Sequence, residues 1–224
     1  MRASLIIPAL NEADCLAQLL AELPLDLLHQ VIVVDNGSTD NTAEVARKSG
    51  AIVIEEPRRG YGSACAAGTV AAEGEVLVFM DGDGSFVPAE LARLLKPIVQ
   101  DEADLVLGAR RLQDSQGDLM PPHQRFGNRL FAWLLRRRYG LVLTDLGPYR
   151  AVKRELLLAL DMQEHTYGWP LEMIIKTARA RKRIVELPVS YRPRIAGQSK
   201  VGGTLRGSLL SAYRFFHVML RYAL

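Results

Sequence analysis

Val76-Leu77-Val78-Phe79-Met80-Asp81-Gly82-Asp83-Gly84-Ser85 is the stretch from which the fold of this 224-residue chain can be read. Its first four residues are apolar without alternation, as in a strand buried on both faces, and the chain then turns polar at once. Four similar runs lie on either side: Ser4-Leu5-Ile6-Ile7, Val31-Ile32-Val33-Val34, Ala51-Ile52-Val53-Ile54 and Leu105-Val106-Leu107. Helical patterns fill the gaps. They are expected over 12–23 with Asn11 as N-cap, over 41–49, over the Ala-rich 62–72, and over 88–100, where Pro88 suits the first helical position. Apolar strands joined by helices imply an α/β protein with a mostly parallel central sheet and helices on both faces. In such sheets ligands bind beyond the carboxyl ends of the strands.

Those ends are rich in functional groups. Strand one runs into Pro8-Ala9-Leu10-Asn11-Glu12 and strand two into Asp35-Asn36-Gly37-Ser38-Thr39-Asp40. Pro57-Arg58-Arg59-Gly60-Tyr61-Gly62 follows strand three, and strand four delivers Asp81-Gly82-Asp83. Two carboxylates one residue apart, among glycines, suit a divalent cation that keeps positions open for phosphate oxygens. An EF-hand would need an acidic residue where Ala92 stands. A haloacid-dehalogenase phosphatase would carry Asp-x-Asp on its first strand rather than its fourth. A Rossmann loop would need a third glycine closer to Gly62 than Gly68.

Charge divides the chain. Residues 1–120 carry 9 basic and 19 acidic side chains, residues 121–224 carry 19 and 6, and the net is +3. A basic half suggests an anionic partner, whether phosphorylated substrate, membrane surface or nucleic acid. A nucleic-acid module would leave Asp81 and Asp83 unexplained. Segment 110–122 is polar and divides the two halves. Cys15 and Cys65 cannot staple a fold of this size, which favours a reducing, cytosolic setting. The apolar run of the first residues is too short for a signal peptide, and no 18-residue uncharged apolar stretch predicts a membrane span.

In the basic half, Thr144-Asp145-Leu146-Gly147-Pro148-Tyr149-Arg150 forms a polar turn. Glu172 sits near the start of a helix, either as a favourable dipole acid or facing a cleft. After the expected strand 184–189, Tyr191-Arg192-Pro193-Arg194-Ile195-Ala196-Gly197-Gln198-Ser199-Lys200 is a cationic loop suited to closing over phosphate. His123, His165 and His217 lack metal-ligand spacing. Residues 204–224 project as a basic amphipathic helix, with Arg206, Arg214, His217 and Arg221 on one arc. Such a helix lies in a membrane interface or docks its apolar face on the core.

Taken in order, six segments resemble the family 2 glycosyltransferases of GT-A fold, especially the dolichyl- and polyprenyl-phosphate mannosyl- and glucosyltransferase branch. They are Ile7–Glu12, Val33–Asp40, Arg59–Gly62, Met80–Asp83, Asp145–Arg150 and Arg194–Lys200. The resemblance implies an inverting, metal-dependent transfer of a hexose from a nucleotide sugar of GDP-mannose or UDP-glucose type to a polyprenyl phosphate. The alternatives are a soluble or saccharide hydroxyl acceptor, or a sugar-phosphate nucleotidyltransferase. It further implies one GT-A domain over 1–224, with a donor half (1–120), an acceptor half (121–203) and the terminal helix (204–224).

By the same resemblance Pro8, Ala9, Asn11, Glu12, Asp35, Asn36, Arg59, Gly60, Asp81 and Gly82 bind the nucleotide sugar, and Asp81 and Asp83 hold Mn²⁺ or Mg²⁺. Arg125, Arg129, Arg150, Arg192, Arg194, Ser199 and Lys200 bind an acceptor phosphate. Asp83, Asp145 and Glu172 are the catalytic candidates, the last two as bases for a hydroxyl acceptor. The implied setting is cytoplasmic, at the cytosolic membrane face. Asp35-Asn36 stands where many relatives carry two aspartates.

Overall fold

The computed structural model describes residues 1–110, 122–196 and 205–222; for 122–126 and 205–212 the description is confined to the helical backbone. Seven strands of the described residues form one sheet: β1 (Ala3–Ala9), β2 (Gln30–Asp35), β3 (Ile52–Glu55), β4 (Val76–Phe79), β5 (Leu105–Arg110), β6 (Arg150–Lys153) and β7 (Ile184–Val189). Their spatial order is β3-β2-β1-β4-β6-β5-β7, and β6 alone of these strands runs antiparallel to its neighbours. Among the described residues eight helices accompany them: α1 (Ala13–Ala21), α2 (Thr42–Lys48), α3 (Tyr61–Ala71), α4 (Leu91–Val99), α5 (Pro122–Tyr139), α6 (Arg154–Ala159), α7 (Trp169–Arg179) and α8 (Leu205–Tyr222). Pro88 opens a single 3₁₀ turn, Pro88–Glu90, that leads into α4.

Alternation along the strands divides the interior in two. Ile6, Ile32, Val34, Leu77 and Phe79 point to a core shared with α3, α5, α7 and α8. Leu5, Ile7, Val33, Val76 and Val78 point to a second core against α1, α2 and α4. Neither face is left to water, which is why the strands read as unbroken apolar runs. Gly68 lets α3 lie close on the sheet, since a Cβ there would overlap the Ile6 side chain.

Pro8 is tolerated in a central strand for a reason of register. The Ile6 carbonyl faces β4 and accepts from Met80, so the position two residues on also faces β4. The β1–β4 ladder stops at Ile6, so Pro8's missing N–H forfeits no bond.

The expected Asn11 cap is corrected. Glu12 is the N-cap residue of α1 and makes no side-chain cap bond. The N–H groups of Glu12 and Ala13 instead donate to Thr42 Oγ1 (2.9 Å) and Asp40 Oδ2 (3.2 Å). Asn11, in a left-handed conformation, accepts from the Thr39 N–H at 2.7 Å. The dividing segment falls outside the described residues between Arg110 and Pro122.

Topology sets where a site can form. The chain steps from β1 outward to β2 and β3, then returns to the other side of β1 as β4, so the strand order reverses between β1 and β4. Crevices at such reversals bind ligands. Because β6 is antiparallel, its start at Arg150 lies beside Phe79, bringing 144–149 to the same edge. Val189 at the end of β7 pairs with Arg110, which brings 190–196 there too.

Candidate active site

Asp81 and Asp83 leave β4 directly at the reversal. Gly82 fits against the end of β1, where an added Cβ would lie 3.2 Å from the Ile7 side chain. Asp83 is buried; its Oδ1 accepts from the Ser85 N–H (2.9 Å) and hydroxyl (2.5 Å). Its Oδ2 accepts from Arg194 Nη1 at 2.8 Å. Arg194 Nη2 also donates to both oxygens of Glu12 at 2.8 Å. One guanidinium thus joins the loop after β1 to the loop after β4.

Asp81 has a different environment. Burial, and then the negative charge of Asp83, push its carboxyl up to about 7, while Arg110 and Arg194 partly offset the rise. A carboxylate so disfavoured is one that a divalent cation would restore to its charged form. Among the described residues no group of three or more His, Cys, Asp or Glu side chains could hold a metal. Two neighbouring carboxylates are hard-oxygen donors of the kind Mg²⁺ or Mn²⁺ takes alongside phosphate oxygens.

The cationic loop lies across this pair. Arg192 donates to the Gly84 carbonyl and to Glu22, both at 2.6 Å. The N–H groups of Arg192 and Ile195 donate to the Ser85 and Asp83 carbonyls. Tyr191 bridges to Phe86. Ser199 and Lys200 lie outside the described residues, as does the Arg125 side chain, while Arg129 is exposed on α5.

On the other flank, Pro8, Ala9 and Asp35 end their strands side by side, Ala9 in register with Asp35. Asp35 accepts from the Ser38 N–H at 2.9 Å. Asn36 is buried, and its amide binds the next loop: Nδ2 donates to the Glu56 and Arg58 carbonyls (2.9 and 2.8 Å), and Oδ1 accepts from the Gly60 N–H (2.7 Å). Arg59, exposed, donates to the Gly37 carbonyl at 2.9 Å. Gly60 holds φ +142° against the His165 carbonyl, a position with no room for a Cβ.

Three expected site residues are placed otherwise. Glu172 is fully buried; it accepts from the Gln163 and Glu164 N–H groups (2.9 and 2.8 Å) and pairs with Lys176 (2.8 Å). It shapes the 163–168 turn rather than facing the cleft. Arg150 is also fully buried, its guanidinium donating to the carbonyls of Gly147, Pro148 and Pro170, so it does not reach an acceptor. Asp145 accepts from Arg110 Nε and Nη2 (both 2.7 Å), Asn128 Nδ2 (2.7 Å), and the N–H groups of Arg110 and Leu146. Burial opposes its ionisation, but the Arg110 bonds outweigh that and lower its pKa. Asp145 is thus a holder for Arg110.

Arg110 was not foreseen. It closes β5 at the carboxyl edge, lies over the Tyr191 ring at 5.4 Å, and moderates Asp81. The signal was present in Leu105–Arg110, a strand that runs on through Gly108 because the flat glycine admits Tyr149 and Val189 beside it.

Comparison with known proteins identifies the family and the fold. The model of the family described as "Glycosyl transferase family 2" matches residues 4–160. An uncharacterized glycosyltransferase of Mycobacterium tuberculosis is 42% identical over 216 residues, covering 96% of this chain and 97% of that protein. The undecaprenyl-phosphate mannosyltransferase of Micrococcus luteus is 34% identical, covering 92% and 90%. Among solved structures, glucosyl-3-phosphoglycerate synthase of M. tuberculosis, in complex with Mn²⁺, UDP-glucose and glycerol 3-phosphate, superposes with a TM-score of 0.82 at 26% identity, covering 99% of this chain and 80% of that one. The α/β architecture is thus of GT-A type.

Proposed function

The chain belongs to glycosyl transferase family 2, and from that premise we propose that it moves a hexose from a nucleotide sugar to a polyprenyl phosphate, with inversion, at the cytosolic face of a membrane. Residues 1–120 form the donor half and 121–203 the acceptor half. The observation that carries the acceptor is the state of the two acids expected as bases for a hydroxyl acceptor. Asp145 is saturated by hydrogen bonds and Glu172 is buried under its own turn. A phosphate acceptor arrives already ionised and needs positioning rather than a base. The resemblance to an undecaprenyl-phosphate mannosyltransferase supports the same acceptor.

Pro8, Ala9, Asn11, Glu12, Asp35 and Arg59 line the edge where base and ribose would lie, and Asn36 and Gly60 fix that edge in shape. Asp81 and Asp83 would hold Mn²⁺ or Mg²⁺, and such a cation supplies the positive charge that a departing diphosphate needs. Arg194 must leave Asp83 and Glu12 for those carboxylates to take up their ligands, and with Arg192 it is then placed to meet the acceptor phosphate. The anomeric carbon gains oxocarbenium character, and attack from the face opposite the diphosphate inverts it.

A soluble acceptor is the second reading, favoured by the likeness to glucosyl-3-phosphoglycerate synthase. Incubation with labelled GDP-mannose or UDP-glucose, Mn²⁺ and undecaprenyl phosphate, followed by solvent extraction, separates the two. Label in the organic phase is the expected result. Label recovered only in water-soluble product overturns the lipid acceptor.

A further inference from the structure

Helices α5 and α8 lie together: Phe131 meets Phe215 and Phe216 edge-on, with ring centroids 5.2 Å apart, and Tyr139 Oη donates to the Tyr222 carbonyl. Both bury a stripe in the same core, Phe131 and Leu135 from α5, Val218 and Met219 from α8. The sides facing away from that core should be polar. Instead Trp133 is 58% exposed, Tyr213 63%, Phe216 48% and Leu220 64%. The terminal helix therefore does not spend all its apolar residues on the core.

Trp133 sits at helical spacing between exposed Arg129 and the exposed pair Arg136 and Arg137. Tyr213, Phe216, His217, Leu220 and Arg221 share one face of α8, all exposed. The two helical segments contain eight arginines and no aspartate or glutamate. None of the described helices is long and apolar enough to cross a membrane.

We infer that the paired outer face of α5 and α8 is a docking surface for an anionic lipid bilayer. Trp133, Phe216 and Leu220 enter the acyl boundary, and the arginines meet the headgroups. Aromatic and leucine side chains framed by arginine are the chemistry of an interfacial helix, and an anionic leaflet complements a face without acids. A second copy of the chain fits poorly, because a two-fold contact would set arginine against arginine. The inference goes beyond the acceptor assignment and involves helix α5, which also supplies Asn128 to Asp145 and so ties the docking face to the sugar-transfer edge.

Flotation of the full chain tests it, with vesicles of phosphatidylcholine alone or mixed with phosphatidylglycerol and with no donor or acceptor present. Failure here therefore leaves the acceptor assignment standing. The protein should float with the mixed vesicles and be released by salt. Arg136→Gln with Arg137→Gln should weaken partitioning by on the order of 25-fold, each arginine near an anionic surface being worth about fivefold. Trp133→Ser with Leu220→Ser should weaken it about tenfold or more. Both pairs alter exposed side chains and should keep the parent's melting temperature and nucleotide binding. Flotation unchanged in either variant, equal capture by neutral vesicles, or a solution dimer that these substitutions dissolve would each overturn the inference.

Discussion

An aspartate at position 36 would bring two acceptor oxygens to a place that needs a donor. Asn36 Nδ2 gives both its protons to the Glu56 and Arg58 carbonyls, and only Oδ1 accepts. That accounts for an amide rather than an acid at this position. Asn36→Asp should therefore cost about 1–3 kcal/mol, the range for a buried hydrogen-bonding group left unsatisfied. Urea melts of the two proteins check this, and equal midpoints would show that the staple carries no weight. Asp83 is the opposite case, a group whose bonds to Ser85 are local and whose Arg194 partner keeps Glu12. Asp83→Ala should abolish turnover while leaving the fold largely intact, read by product formation and circular dichroism together. Near-normal turnover in that variant, or in the parent with chelator present, would contradict the metal role. Arg150 and Glu172 show what a sequence leaves out. Both sit in polar motifs and carry charge, but which side chains are buried depends on how β6 inserts and how α7 meets residues 163–165, and neither is a local property.

β1, β2 and β4 were legible as nearly unbroken apolar runs, because both of their faces are covered. β6 went unseen. It has four residues, Arg150–Lys153, begins and ends in a charge, and exists because β4 and β5 flank it on both edges. Helix α5 was hidden by its five arginines, and its hydrophobic stripe emerges only against α7 and α8. The placement of β7 depends on a clamp at the end of the sheet away from the site. Asp104 accepts from the Arg183 N–H, Nε and Nη2 and pairs with Lys153 at 2.9 Å, joining the starts of β5 and β7 to the end of β6. Arg183 above all, against the opposing effect of burial, holds the Asp104 carboxyl well below the ordinary carboxylate range. A pKa depressed by folding contributes stability above the unfolded value, near 4, and that contribution is lost as pH falls through the folded value. Asp104→Asn should then be less stable by about 1–3 kcal/mol at pH 7. The gap should close steadily below about pH 4 as the parent loses its own advantage. Melts from pH 7 down to pH 2 measure it, and a gap independent of pH would assign the effect to packing.

Across the whole molecule, the division of charge seen in the sequence is brought together at one edge. Glu12, Asp81 and Asp83 come from the acidic half, and Arg194 comes from the basic half to cover two of them. The acidic edge is thus only partly neutralised from within, and a nucleoside diphosphate alone, itself anionic, has little to gain there. With a divalent cation the balance would change sign: Asp81 and Asp83 would hold it, it would supply the positive charge a diphosphate needs, and Arg194 would be freed for a further anion. Stabilisation by ligand should therefore be synergistic. At concentrations about 100-fold above the dissociation constant, a ligand that binds only the folded state adds about 2.7 kcal/mol. For a chain of this length that amounts to a rise in melting temperature of about 5–10 °C. GDP or UDP with Mn²⁺ should reach that range, whereas either nucleotide with chelator, or Mn²⁺ alone, should fall well short. An equal rise with chelator present would mean that the arginines bind the nucleotide unaided. Asp81 and Asp83 would then have to be assigned some task other than holding a cation.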